Sequence, residues 1–277
     1  MPHWFLSLAI DVARLAVWLA LLAAIFVPLE HAFALHPRRG RRAELAADLG
    51  LYFLNSLIPA LLIGLPMAVL VAATHRIVPA AYYGWVAALP LWLQLTATFL
   101  IGEFGFYWGH RIAHASPVLW RFHAVHHAPQ ALDWLINTRT HPIDMVFTRL
   151  CGLAPLYLLG LAGRGAADGN MAAILLVLAG TIWGFFLHAN INWRLGPIEH
   201  LLASPRFHHW HHTKSGPIDR NFASMLPLLD RAFGTLYLPA RAWPEDYGLC
   251  ETAGAEGPQE SLRAARYVAV TPRRRRY

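Results

Sequence analysis

A chain of 277 residues that is 56% hydrophobic, only 14% charged and has a mean hydropathy of +0.38 is too apolar for an ordinary soluble domain. Its two cysteines, Cys151 and Cys250, offer neither a disulfide framework nor a cysteine-based metal site. The net charge of +7 draws on two arginine runs, "HPRRGRR" (His36–Arg42) and "TPRRRRY" at the end. They sit beside membrane segments or in the tail and carry no nucleic-acid motif, so they are read as cytoplasmic anchors against anionic lipid, with no nucleic-acid partner.

In chain order, five apolar runs are predicted as helices: Trp4–Val27, Leu49–Ala73, Tyr82–Gly105, Met145–Gly163 and Met171–Ile191. Each approaches the ~20 residues that cross a bilayer core. The first is not a signal peptide, because Asp11 and Arg14 interrupt it and no small-residue cleavage site follows. Arg38, Arg39, Arg41 and Arg42 put the first loop in the cytoplasm. The second run then leads outward and the third returns, ending where "GHRIAH" (Gly109–His114) begins. The fourth and fifth form a hairpin, crossing or re-entrant, around "GRGAADGN" (Gly163–Asn170) and come back at His188. The expected fold is an all-α integral membrane protein with about four to five apolar helical segments. A cytoplasmic histidine-rich helical cap would hold a dimetal site. The expected division is a transmembrane region over 1–98, a catalytic domain over 99–240 and a poorly ordered tail over 241–277.

Three histidine clusters fall on one predicted side of the membrane. "HRIAH" places His110 and His114 at i and i+4. "HAVHH" places His123, His126 and His127 at i, i+3 and i+4, and "HHWHH" repeats that pattern with His208, His211 and His212. Such spacings bring side chains to one side of a helix, and imidazole suits iron, zinc, copper and nickel. Eight such donors exceed what one octahedral ion uses, so two ions are expected, with His141 and His188 as additional donors. His209 lies about 100° of helical rotation away from its neighbours' face and is expected to serve at most as an outer contact. His3, His31, His36, His75 and His200 are expected as ordinary interfacial or hydrogen-bonded histidines. Asp144 and Asp230 are candidate partners for the outer nitrogens of bound imidazoles. Glu103, inside an apolar run, is expected to have a function or a buried partner. Arg111 is expected to steady a carboxylate or a lipid head group. Trp108, Trp183 and Trp193 are expected to pack rather than line a channel.

The series "HRIAH…LWRFHAVHHAP…RTHPID…LHANINW…SPRFHHWHH…LLDRAFGTLY" resembles the fatty acid hydroxylase and sterol desaturase superfamily of membrane di-iron enzymes. The likeness runs from about Phe104 to Leu238. It matches His110–His114, His123–His127 and His208–His212 to the family's three boxes, and also His188, His141, Pro142 and Asp144. It implies two iron ions, with zinc an occupant on overexpression, and O2 as co-substrate. It further implies a lipid substrate taken from the bilayer and a separate electron-donor protein, since the sequence carries no cytochrome b5-like segment. The implied reaction is hydroxylation of an unactivated C–H, or desaturation, since both use the same ligands and differ in substrate position. The implied location is the inner membrane of a bacterium, with the metal site on the cytoplasmic side. Two departures stand out. Leu229 precedes Asp230 where many members have tryptophan. Gly184 stands where some hydroxylases carry a histidine, so a ligand set copied from them is one short, a gap for His141 or a water.

Two other function classes fit a histidine-rich membrane chain. A metal transporter or buffer would place donors along a mid-membrane path, and a zinc hydrolase would need only three, with an open position and a general base. The histidine clusters instead gather at predicted helix ends on one side. The topology has a direct check: cysteine reporters at Gly40 and Ser215 should both label from the cytoplasm, and one at Gly165 should label from the other side or stay buried. Opposite-side labelling of Gly40 and Ser215 overturns the span count.

Overall fold

The computed structural model describes residues 3–37, 44–162, 171–240 and 242–249. The expectations placed on Arg38, Arg39, Arg41 and Arg42, on the turn Gly163–Asn170, on Cys250 and on the tail lie outside these residues. Ten α-helices follow in order among the described residues: α1 (His3–Ala32), α2 (Leu45–Leu57), α3 (Pro59–Ile77), α4 (Ala80–Ala87), α5 (Leu91–Ala115), α6 (Pro117–His127), α7 (Pro142–Leu158), α8 (Met171–His188), α9 (Pro205–His211) and α10 (Leu228–Ala232). Two short 3-10 helices, Trp134–Thr138 and Gly196–His200, join them. Pairing between extended segments is limited, among these residues, to isolated bridges between Ala34 and Ile191 and between Thr213 and Tyr247. The all-α membrane fold is thus observed.

All five apolar runs are helical, but fewer of them qualify as spans. Trp4–Ala32 and Leu45–Ile77 are long and apolar enough to cross a membrane. A third span exists if α4 and α5, which meet at a 109° bend, cross as one unit. The predicted run Tyr82–Gly105 is therefore broken. Pro90 lacks an N–H and pushes Leu89 out of the helical region, so one helix ends at Ala87 and the next begins at Leu91. The run Met145–Gly163 becomes α7, whose 17 residues include Asp144 and Arg149 and end at Leu158. In α8 the apolar stretch with described side chains is Leu178–His188. On α1, Trp4, Leu6, Val17, Leu21 and Ile25 face outward, as lipid-facing residues do, while Leu22 and Phe26 pack against Trp134, Phe185 and Ile191.

Helices α5 and α7 form the closest pair, and glycine makes the approach possible. A Cβ on Gly105 would collide with the Cys151 carbonyl oxygen, and one on Gly109 would lie 2.7 Å from the Cys151 Cβ. This contact sets the end of α5, with His110, beside the start of α7, with Asp144. The helices carrying the other boxes start on a shared signal. Ser116 and Ser204 cap α6 and α9 by accepting from the Leu119 and Phe207 N–H groups, each followed by proline at the first helical position. A second core of Tyr107, Leu187, Phe207 and Phe222 packs α5, α8 and α9 together, with Trp108 and Trp183 against it. Those tryptophans pack as expected, and Trp193 does so against the first core.

Gly105→Val should therefore destabilise the protein by overpacking, by about 1–3 kcal/mol or more. Gly84→Ala, which meets no atom within 4 Å, should not. Thermal unfolding in detergent, followed by size-exclusion recovery, reads the difference.

Candidate metal centre

Nine of the ten histidines proposed from sequence converge into two groups. His110, His114, His123, His127 and His211 form one, and His126, His188, His208 and His212 the other. Within each group the inward nitrogens lie within 4.8 Å of one another. The groups adjoin: His127 stacks on His212 at 4.4 Å between ring centroids, and His211 stacks on His208 at 5.2 Å. Each three-histidine box is split between them. His123 and His127 serve the first group and His126 the second, whereas His208 and His212 serve the second group and His211 the first. Residues at i and i+4 differ by only about 40° around a helix, while the middle histidine stands about 60° off on the other side. One helical turn thus addresses two sites.

The hydrogen bonds fix where the protons are. His110, His126, His188 and His211 use Nδ1 to reach the carbonyls of Phe222, Arg139, Gly184 and Arg220 at 2.8–3.1 Å. His114 and His123 use Nδ1 to reach Asp219 and Asp144, each at 2.9 Å. A carbonyl only accepts, so each Nδ1 facing one carries the hydrogen, and each neutral ring turns a bare Nε2 lone pair inward. His126 Nε2 and His188 Nε2 lie 3.2 Å apart in this state. Two lone pairs at that distance repel unless a cation lies between them or one ring gains a second proton. Burial opposes the second proton. It pushes His123 down to about 3 and His126 to about 4, and holds His208, His211 and His212 well below the ordinary imidazole range. The inward nitrogens of His114 and His211 have no hydrogen-bond partner. Neutral, inward-facing Nε2 donors in groups of five and four fit two divalent first-row metal ions.

A family comparison decides the context. The fatty acid hydroxylase family model matches residues 95–235. The chain belongs to the fatty acid hydroxylase family. An ornithine lipid hydroxylase of Rhizobium tropici is 36% identical over 187 residues, covering 66% of this chain and 54% of that protein. An alkylglycerol monooxygenase of Danio rerio is 31% identical, over 54% of this chain and 31% of the relative. A methylsterol monooxygenase of Arabidopsis thaliana is 31% identical over 53% of this chain and 55% of its own length. The chain thus spans about half or less of the length of these relatives. No solved structure matches it.

In this family member three histidines of the five-histidine group are held by one loop that the sequence reading missed. Asp219, the Arg220 carbonyl and the Phe222 carbonyl hold His114, His211 and His110 in turn. Asp219 and Asn221 adopt left-handed backbone angles, φ 58° and 57°, which aim these groups at the site. Asp and Asn tolerate that region better than most residues, so "DRN" was the available signal. Asn221 locks the loop by donating to the Phe207 and Tyr237 carbonyls and accepting from the Tyr237 N–H. Glu103 finds the buried partner expected of it, accepting from the Met225 and Leu226 N–H groups at 2.7 and 3.0 Å.

Two sequence assignments change, those of Asp230 and His141. Asp144 meets a histidine as proposed, but Asp230 does not. It accepts from the Phe222 and Ala223 N–H groups and from Thr235, supporting the loop from behind. Arg111 reaches the Tyr107 hydroxyl, lies over the Trp108 ring and, as expected, steadies a carboxylate, its charge favouring ionised Asp230. His141 joins neither group: its Nδ1 caps α7 by accepting from Ile143 N–H, and its ring packs on Phe122. At Gly184 an added Cβ would lie 2.7 Å from Asn137 Oδ1, so Asn137 fills the space beside that position.

Protein purified with adequate iron should carry about two metal ions per chain. His126→Ala should lower this to about one, because it removes a donor from the smaller group, whereas His141→Ala should leave the content unchanged. Elemental analysis of purified protein checks all three. Unchanged metal in His126→Ala would refute the assignment.

Proposed function

We propose that the chain is a membrane di-iron oxygenase that hydroxylates an unactivated C–H of a lipid, using O2 and electrons from a separate donor protein. The observation that carries the reading is the pair of bare nitrogens on His126 and His188, which a bound cation would satisfy, in a chain whose relatives are named as lipid hydroxylases and monooxygenases. We take His110, His114, His123, His127 and His211 to hold one ion and His126, His188, His208 and His212 the other. Bound iron would supply the oxidising power that no side chain has.

The chain's own residues do the rest. Nδ1 hydrogen bonds hold each ring in the orientation that presents Nε2. Burial keeps the imidazoles neutral, so binding a divalent ion displaces no proton from them near neutral pH. Phe222, buried 5.1–5.9 Å from the rings of His110, His114 and His211, and Trp120, 5.0 Å from His114, keep water from the five-histidine group. Apolar helices α1–α5 would admit the lipid from the bilayer. In this proposal residues 1–98 anchor the enzyme, 99–240 carry the chemistry and 241–277 form a tail. The site faces the cytoplasm of a bacterial inner membrane, where reduced electron carriers are available. Hydroxylation is favoured over desaturation because the relatives named above are hydroxylases and monooxygenases.

Membranes containing the active protein, supplied with isotopically labelled O2, should yield a lipid with one labelled oxygen, and His208→Ala membranes should yield almost none. A new double bond without labelled oxygen identifies a desaturase. Bound metal with no change in lipids favours the transporter or buffer, and lipid hydrolysis favours a zinc hydrolase.

A further inference from the structure

The four-histidine group depends on contacts made from outside the segment that matches the family. His188 ends α8, and the polar groups of the next residues are held by Glu30, by Phe33, Leu35 and His36, and by His209, which Tyr247 holds in turn. The Ala189 carbonyl accepts from His209 Nε2 at 3.1 Å. The Asn190 N–H donates to Glu30 Oε1 at 3.0 Å, and its side chain exchanges two hydrogen bonds with the His36 backbone, at 2.9 and 2.8 Å. The Asn190 carbonyl accepts from the Leu35 N–H, and the Asn192 N–H donates to the Phe33 carbonyl. The Tyr247 hydroxyl reaches His209 Nδ1 at 2.9 Å and His36 Nε2 at 3.3 Å. Since His209 Nε2 donates to a carbonyl, its Nδ1 accepts from Tyr247.

Glu30 does more than hold the segment after α8. The same oxygen that accepts from Asn190 accepts from the Trp134 N–H at 2.7 Å. Trp134 opens the 3-10 helix that ends at Thr138, and the next residue, Arg139, supplies the carbonyl that orients His126. One carboxylate oxygen therefore joins the segment whose Arg139 carbonyl orients His126 to the segment that follows His188, the pair of histidines whose bare nitrogens face each other. The other members of the group are referenced through α9. His209 sits between His208 and His212's turn and the Ala189 carbonyl, fixing their helix against the end of α8. Glu30 and His209 are both fully buried. Burying a carboxylate is costly, and an apolar side chain would fill the space without that cost.

We propose that Glu30 and the His209–Tyr247 pair are positioning residues for the four-histidine metal site. Glu30 sets the separation of His126 and His188, and His209, held by Tyr247, sets His208 and His212 against them. The inference rests on the metal-centre reading above. Glu30 and Tyr247 lie outside residues 95–235, so the family-matched segment does not complete this site by itself.

The test is a cobalt titration of the full-length, metal-free protein in detergent, read by the visible absorption of bound Co2+. The native chain should take two equivalents. Glu30→Ala and Tyr247→Phe should each weaken one equivalent about 10- to 100-fold and leave the other unchanged, the range seen when an outer contact of a metal ligand is lost. Glu30→Gln keeps an acceptor oxygen and should restore much of the second equivalent. If both equivalents weaken together, if neither weakens, or if Gln is no better than Ala, the proposal fails. Should Glu30→Ala not fold, Tyr247→Phe, which removes one hydroxyl, decides alone. Native protein that binds two cobalt ions but oxidises no lipid when loaded with iron overturns the oxygenase reading and leaves this one standing. Native protein that binds fewer than two overturns both.

Discussion

Nine imidazoles packed ring to ring, each with a nitrogen facing inward, are the constraint on which the rest of this structure depends. An apolar interior would normally refuse them, because each ring brings a bare acceptor that water no longer satisfies. The protein turns this cost into an ion-binding capacity by fixing every proton it can on the outer side. Six of the nine rings have an outer Nδ1 contact: four to backbone carbonyls and two to carboxylates. The carbonyl partners are as informative as the acids, since a carbonyl leaves no doubt about which nitrogen holds the hydrogen.

Much of the architecture follows from holding those outer partners still. The glycines of α5 let α7 come close enough for Asp144 to meet His123. The left-handed turns at Asp219 and Asn221 aim two carbonyls and a carboxylate at the five-histidine group, and Asp230 and Glu103 pin the following backbone by accepting from four N–H groups in all. A buried ion pair between Arg206 and Glu199 anchors the start of α9, with Ser204 joined to the same glutamate. These acids bind backbone or arginine and do not enter the site. Their charges serve the geometry of residues that do.

The two halves of the centre are built differently. Three histidines of the five-histidine group are held by one continuous loop that follows the third box in sequence, and His123 by Asp144 of α7. The four-histidine group is framed by pieces from the first helix, from the loop around Trp134 and from near Tyr247. Local sequence can specify the first frame, because a few turn residues decide it. The second exists only once segments more than 100 residues apart have met, as Glu30 and Trp134 do at a sequence separation of 104. That difference explains why α1 is both a lipid-facing helix and part of the centre's surroundings.

The sequence by itself determined the chemistry. Apolar runs set an all-α membrane fold, and the spacing of His110, His114, His123, His126, His127, His208, His211 and His212 marked out clustered donors that could hold metal, because helical periodicity is local and survives in the bare string. His188 was legible as the histidine that ends the fifth apolar run and also matched the family's pattern, and Asp144 was legible as a partner for a histidine. Only the tertiary structure decided how the boxes divide between two groups, since three histidines on one turn diverge by about 100° and their destinations depend on what packs opposite. It moved His141 to a helix cap and Asp230 behind the loop, positions that spacing could not separate from direct contact with a metal ligand. It also broke the run Tyr82–Gly105 at Pro90, where backbone chemistry outweighed hydropathy. Glu30, His209 and Tyr247 acquired their roles from partners distant in sequence, because a hydrogen bond across a fold leaves no period in the chain.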